Sequence, residues 1–344
     1  MKCERVSPMG RVLYLRLGAI GDVVQSAVAL AAFKERHPFV KIDWAVDSSL
    51  ASFVEKVGVA DRVIPVNYRG LVKGKVIFRL WVLVKEIGSL IRLGPYSLVI
   101  NAHKDPRYKF LTFLVRKKTY REKIRAFPIV HRYRVFEYFR LLAGVDSGPV
   151  AFDSGFSFVR KRLLEGVSLV DDRSSPKGYV VLAPGGASNL IADALLRRWP
   201  IRNYVELANR VTKLGFDVVI VGGETDVDLA GLFSTINVKN MIGKTSLIEL
   251  FGIMEEAVAV VTHDSGPMHL ASISSAPLVA LFGPTPANAF IPFNRKKTGI
   301  VQRQNSISCS PCYDGVRYAE CYNNECMSSL SVDMVWAELN KLIS

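Results

Sequence analysis

Short apolar runs separated by segments of helical length constrain this 344-residue chain more than any other feature. Residues 12–15, 41–46, 62–66 and 98–100 are such runs, and a helix fits between most successive pairs. The alternation predicts βαβ units with parallel strands, because a crossover helix brings each new strand back to the same end of the sheet. The pattern lapses at 165–178, EGVSLVDDRSSPKG, a polar stretch rich in breakers that reads as a linker. A second series follows, with strands over 179–183, 217–221, 257–261 and 277–282 and helices over 203–214 and 246–256. Ser246 with Glu249 matches a capping box that opens the last of these helices. Two α/β series of about equal length predict two doubly wound, Rossmann-like domains facing each other across a central cleft. Length agrees, because a single core stops growing at about 300 residues.

Hydrophobic residues at 49% and charged ones at 22% are the balance of a folded chain rather than a disordered one. No run approaches the ~18 uncharged apolar residues of a membrane span. The start, MKCERVSPMG, lacks the apolar core of a secretory signal, which predicts a cytoplasmic protein. The net charge of +14 is concentrated: from Lys104 to Arg134, eleven Lys and Arg face only Asp105 and Glu122. Such a segment reads as a solvated face, or as a surface for nucleic acid, an anionic membrane or a phosphorylated substrate. Residues 76–93, VIFRLWVLVKEIGSLIRL, predict a strongly apolar helix whose Arg79, Lys85, Glu86 and Arg92 argue against spanning. A buried or oligomer-facing helix and a helix lying on a membrane surface both fit it.

In doubly wound sheets, ligands bind beyond the carboxyl ends of the strands, so the loops there are where chemistry is sought. The first is RLGAIGDVVQS, 16–26, which has neither the three glycines of a dinucleotide fingerprint nor the Lys-Ser/Thr of a P-loop. Asp22 would repel an anion at that helix N-terminus, so it either caps its helix or serves as an acid or base in its own right. In the second series APGGAS, 183–188, offers Gly185, Gly186 and Ser188 for close approach, and leads through NLIADALL to Arg197-Arg198-Trp199-Pro200. Small residues, a hydroxyl and guanidinium groups together can grip a diphosphate. VGGETD, 221–226, places Glu224 where a carboxylate can accept from a ribose diol, or merely complement a helix dipole. THDSGPMHLA, 262–271, predicts Asp264 and Ser265 as caps, Gly266 for close approach and Pro267 in the first turn of a helix whose N–H groups can face an anion.

Taken together, RVLYLRLGAIGDVVQSAVALAAFKERHP, the Trp-Pro segment, VGGETD, GKTSLIELFGIMEEA, and HDSGPMHLA followed by PLVALFGPT resemble the bacterial ADP-heptose:lipopolysaccharide heptosyltransferases, glycosyltransferase family 9. The resemblance runs from residue 11 to about 335. It implies the GT-B fold, with an acceptor-binding domain over 1–170, a nucleotide-sugar-binding domain over 171–330 and a terminal helix over 331–344. It also implies transfer of heptose from an ADP-activated donor to the lipopolysaccharide inner core, with inversion and without a metal. On this resemblance Asp22 takes the place of the general base. Gly185, Gly186, Ser188, Arg197 and Glu224, with Asp264, Ser265, Gly266, Pro267, Met268 and His269, fall at the donor site. Gly21, with Lys104, Arg107, Lys117 and Arg121 of the basic segment, would meet a phosphorylated core acceptor at the anionic inner-membrane surface, where the protein would be a peripheral cytoplasmic enzyme. Two departures stand out: NLIADA lengthens the approach to the Trp-Pro segment, and Arg197 stands where lysine is common.

Cys309, Cys312, Cys321 and Cys326 form C-x2-C-x8-C-x4-C. Four thiols can hold zinc, but the second pair lacks the tight spacing of such sites. The resemblance implies a Cys-rich loop without a catalytic metal and no cofactor beyond the sugar nucleotide. A related transferase using another nucleotide sugar for a different surface glycan is the alternative within enzymes. A nicotinamide dehydrogenase lacks its glycine fingerprint, and no nucleic-acid motif accompanies the charge.

Overall fold

The computed structural model describes residues 10–103, 106–113, 115, 119–120, 133–143, 152–166, 175–187, 194–292, 295–304, 306–315 and 317–344. Lys104, Lys117, Arg121 and Ser188 lie outside the described residues. So does the side chain of Arg107, although its backbone belongs to the helix Pro106–Phe113.

Among the described residues, β1 (Arg11–Leu15), β2 (Lys41–Asp47), β3 (Arg62–Val66), β4 (Leu98–Asn101) and β5 (Thr119–Tyr120) form one parallel sheet in the order β3-β2-β1-β4-β5. A second parallel sheet holds β6 (Tyr179–Ala183), β7 (Asp217–Ile220), β8 (Lys239–Asn240), β9 (Ala259–His263), β10 (Leu278–Phe282) and β11 (Thr298–Gln302) in the order β11-β10-β9-β6-β7-β8. Both are doubly wound, and the central strands are near-continuous apolar runs because helices cover both faces. The chain divides into two compact units, the first comprising Met1–Phe127 and Arg134–Arg162, the second Pro128–Tyr133 and Leu163–Ser344. The division falls in the last turn of the helix Asp153–Leu164, just ahead of the 165–178 stretch, of which 167–174 lie outside the described residues.

In the first unit Tyr14 and Trp44 meet edge to face at 5.5 Å beneath the helix Ile20–Arg36. That helix packs on Arg134–Ala143, with Phe33 and Phe139 at 6.3 Å, and each buried aromatic removes on the order of 2–3 kcal/mol of apolar surface from water. A Cβ at Gly155 would stand 2.5 Å from the Val28 carbonyl, so only glycine lets the helix Asp153–Leu164 lie this close to Ile20–Arg36. In the second unit the helices Ile201–Lys213 and Val332–Ile343 supply Tyr204, Leu207, Val335 and Leu339 to one core. Buried Trp199 meets its polar obligation there by donating its indole N–H to Leu330 O at 2.8 Å. The capping box forms as the sequence predicts: Ser246 Oγ accepts from Glu249 N at 3.3 Å, and Glu249 Oε2 accepts from Ser246 N at 2.8 Å.

The apolar helix spans Val76–Leu93, and the buried-helix reading accounts for only one side of it. Val82, Glu86 and Leu90 are buried, while Ile77, Trp81 and Val84 are exposed. No helix among the described residues is long and apolar enough to cross a membrane.

The strand orders locate the functional loops. Each sheet reverses its winding between its first strand and the strand on that strand's other side: β1 against β4 in one, β6 against β9 in the other. Loops leaving the carboxyl ends of such neighbours part in opposite directions and open a crevice.

Candidate active site

In the first unit the crevice is built around Asp22. It sits in the first turn of Ile20–Arg36, where the chain leaves β1, but it does not cap the helix: Ala19 is the N-cap and contributes no side-chain bond. The carboxylate instead pairs with the Arg16 guanidinium through Oδ2 and accepts from the Tyr138 hydroxyl through Oδ1 at 2.5 Å. Arg16 is buried, donates to Ala102 O at 2.7 Å beyond β4, and stands over the Tyr138 ring at 5.6 Å. Burial by itself would raise the Asp22 carboxyl. The charges of Arg16 and Arg134 and the Tyr138 hydrogen bond overcome it and hold the group well below the usual carboxylate range. The result is a fixed, ionised and still partly exposed carboxylate. Gly21 beside it is buried, so it offers an acceptor little beyond its packing.

In the second unit two buried aspartates organise the crevice between β6 and β9. Asp264, expected as a cap, does not cap the helix it precedes. Its Oδ2 accepts from Thr285 Oγ1 at 2.7 Å and from Arg197 at 3.3 Å, and its Oδ1 lies 3.7 Å from His269 Nε2. Ser265 is the N-cap of Gly266–Ala271, yet its hydroxyl donates back to His263 O at 3.1 Å, so the helix has no side-chain cap. Pro267 occupies the first turn as expected, and it and Gly266 are the partly exposed part of the loop. The side chain of Met268 is completely buried, because its position on this short helix faces the interior.

Asp226 is the second organiser. It accepts from Gly186 N at 3.0 Å, Gly223 N at 3.0 Å and Arg198 at 3.0 Å, while Arg198 Nε donates to Gly186 O at 2.8 Å. A Cβ at Gly185 would stand 2.3 Å from the Asp226 carboxyl carbon. The expectation that Gly185 and Gly186 are bare for the sake of a diphosphate is therefore revised: Gly185 makes room for Asp226, and the Gly186 N–H is already engaged by it. Glu224 stands exposed at the start of the helical segment Glu224–Phe233. Arg197 and Arg198, adjacent in sequence, thus serve different aspartates on different loops.

His263 closes the interior side of this site. It is fully buried, with Nδ1 3.0 Å from the Tyr204 hydroxyl, and burial followed by the nearby Arg197 pushes it down to about 3. An unfolded imidazole protonates near pH 6.5. The folded one resists until about pH 3, so this group's share of stability is complete above 6.5 and is lost as pH falls through that window. NMR of the folded protein should show one imidazole that stays neutral from pH 8 to pH 5; a His263 signal titrating near 6.5 would contradict the buried assignment. The thiols Cys309, Cys312, Cys321 and Cys326 are all free. Among the described residues no group of three or more His, Cys, Asp or Glu side chains is arranged to hold a metal ion.

The profile of glycosyltransferase family 9 (heptosyltransferase) matches residues 114–323, more than half of the chain. The chain belongs to glycosyltransferase family 9. This glycosyltransferase is similar to lipopolysaccharide heptosyltransferase 1 of Pseudomonas aeruginosa, with 25% identity over 325 residues that cover 88% of this chain and 86% of that protein. It is also similar to lipopolysaccharide heptosyltransferase 2 of Escherichia coli, with 33% identity over 107 residues; that match spans 29% of this chain and 31% of that protein. Among solved structures, E. coli ADP-heptose lps heptosyltransferase II superposes with a TM-score of 0.69 at 19% identity, covering 97% of this chain and 98% of that one. A likeness at that identity speaks to the fold, which is GT-B.

Four residues of the glycosyltransferase site escape sequence reasoning. Arg16 lies inside the quoted RLGAIGD but reads as an ordinary charge after a strand. Tyr138 comes from 116 residues away, and no local spacing ties it to Asp22. Asp226 looks like a helix-start acid like its neighbour Glu224. Thr285 lies in the GPT that follows β10, where only the partner Asp264 gives it meaning.

Proposed function

We propose that this glycosyltransferase moves a heptose from an ADP-activated donor onto the inner core of lipopolysaccharide, with inversion at the anomeric carbon and without a metal. Its likeness to lipopolysaccharide heptosyltransferases supports the acceptor and the sugar, and its likeness to the E. coli ADP-heptose enzyme supports the ADP-activated donor. The observation that carries the chemistry is the ionised, oriented Asp22 beyond β1 of the first unit; within the second unit, Asp264 beyond β9 holds Arg197, a cation suited to a diphosphate.

In this reading residues 1–170 bind the acceptor and residues 171–330 the sugar nucleotide. Asp22 takes the proton of the attacking acceptor hydroxyl, the hydroxyl oxygen forms the new bond to the anomeric carbon, and the carbon–phosphate oxygen bond breaks with its electron pair leaving on ADP. The developing charge on the diphosphate is met by Arg197, by Ser188 and by the Gly266 N–H at the start of its helix, donors of the kind that stabilise a departing anion. Glu224 is exposed and suited to accept from the ribose diol. The basic side chains of Lys104, Arg107, Lys117 and Arg121 would recruit the phosphorylated core at the cytoplasmic face of the inner membrane.

A thermal-shift panel of ADP-, UDP- and GDP-sugars tests the donor. Ligand that binds only the folded state raises its stability by about 2.7 kcal/mol at a hundredfold excess over Kd. ADP-heptose should raise Tm while the UDP- and GDP-sugars leave it unchanged; a selective shift with a different nucleotide would replace heptose by another sugar and another glycan.

A further inference from the structure

The helix Val76–Leu93 carries a second apolar face that is exposed among the described residues. Ile77, Trp81, Val84 and Ile91 recur at intervals of four, three and seven, which places them on one side of an α-helix, opposite the buried Val82, Glu86 and Leu90. Ile77 is 82% exposed, Val84 70% and Trp81 59%, and Leu80 adds to the same side. At 1.5 Å per residue this stripe runs for about 21 Å. A soluble surface helix places polar residues there.

The charges around the stripe point to its occupant. Lys73, Lys75, Lys85 and Arg92 are exposed, and Lys85 Nζ lies 5.5 Å from the Trp81 ring centre. Arg79 is half buried, its Nε directed to Leu71 O at 3.3 Å. The one acid in this stretch, Glu86, is turned inward, where it accepts from Asn67 N at 3.3 Å. An apolar stripe rimmed only by cations, with a tryptophan at its centre, has the chemistry of a helix lying in the plane of an anionic lipid surface.

We propose that the exposed face of Val76–Leu93 inserts into the headgroup region of an anionic bilayer and seats the first unit on it. The face would then hold the enzyme where a glycolipid acceptor resides, a purpose that rests on the acceptor reading above, whereas the docking itself does not.

Trp81 makes the test direct, since Trp44 and Trp199 are buried and Trp336 packs against the second core. The full protein is mixed, without any sugar, with vesicles of phosphatidylethanolamine and phosphatidylglycerol, and separately with phosphatidylcholine alone. Co-sedimentation with the anionic vesicles, a blue shift of Trp81 emission and loss of its quenching by acrylamide are expected. The double variant Ile77→Asp/Val84→Asp, at two exposed positions, should lose at least tenfold in vesicle affinity while keeping the wild-type Tm and the ADP-heptose shift. Equal binding to phosphatidylcholine, or binding by the double variant as tight as wild type, would overturn the proposal. A lipid-free, concentration-dependent blue shift accompanied by dimer formation would also overturn it, by assigning the face to a second copy of the chain. A missing nucleotide shift with intact vesicle binding would count against the donor reading alone.

Discussion

Asp22→Asn should lower kcat by roughly 100- to 10,000-fold, the range contributed by a positioned general base, and leave the donor-induced thermal shift intact. The asparagine keeps the shape and can still accept from Tyr138, but it cannot take a proton. Because the substitution leaves the Arg16 guanidinium without its counter-charge, Tm must be measured beside kcat, and the loss in rate must persist well below the Tm of the variant. Turnover retained at the wild-type rate would remove Asp22 from the role of base.

The same geometry fixes a pH dependence. Asp22 is depressed in the folded protein, so it is ionised at all ordinary pH values, and the stability it contributes is complete above the unfolded carboxylate value near 4 and is lost as pH falls further. No acid limb of kcat/KM between pH 5 and pH 8 should therefore belong to it. Tyr138→Phe removes the hydrogen bond and Arg16→Met the larger charge, so both should raise the Asp22 value, Arg16→Met more, and draw the acid limb upward. A low-lying base is intrinsically weak. The arrangement therefore favours readiness and orientation over proton affinity, which suits a displacement in which the departing diphosphate supplies much of the driving force.

The parts of this architecture that are legible in the sequence are those encoded over short spans. Central strands announce themselves as apolar runs because both faces are buried, and β1, β2, β3, β4, β6 and β10 fall within a residue or two of where the runs predict them. The Ser246–Glu249 box is equally local. The edge strands β5 and β8 are two residues long, and β11 alternates buried and exposed positions at the sheet margin, so none leaves a continuous apolar signal. The loops that carry chemistry are visible as glycine, hydroxyl and acid clusters after strands. Their internal wiring is not, because it joins distant segments: Asp22 to Tyr138, Asp264 to Arg197 and Thr285, Gly186 to Asp226. Asp264 shows the limit most clearly. Its position before a helix predicts a cap on local grounds, but a half-buried guanidinium 67 residues away in sequence offers a stronger, charge-assisted partner.

Asp226→Ala should destabilise the second unit by about 3–5 kcal/mol, the cost of leaving a half-buried partner charge and two backbone donors without their acceptor. In a domain of this size that corresponds to a fall in Tm of roughly 10 °C. The carboxylate is 3% exposed and gathers three partners from two loops, so its removal strands Arg198, Gly186 N and Gly223 N together. It also empties the space that only the missing side chain of Gly185 keeps open, and water entering there cannot restore a negative charge to Arg198. Asp226→Asn retains an acceptor oxygen and should cost less than the alanine. A cycle with Arg198→Met separates the charge pair from the backbone bonds: a coupling of about 1–3 kcal/mol is expected between two groups in direct contact. Glu224→Ala, two residues earlier and exposed, should move stability by no more than about 0.5 kcal/mol. The contrast carries into function, because the Gly186 loop and the VGGETD turn are held to each other through Asp226. Asp226→Ala should therefore weaken the donor-induced shift even at temperatures where the variant is folded. A variant as stable as wild type, with an undiminished nucleotide shift, would mean that the two loops are positioned without this carboxylate.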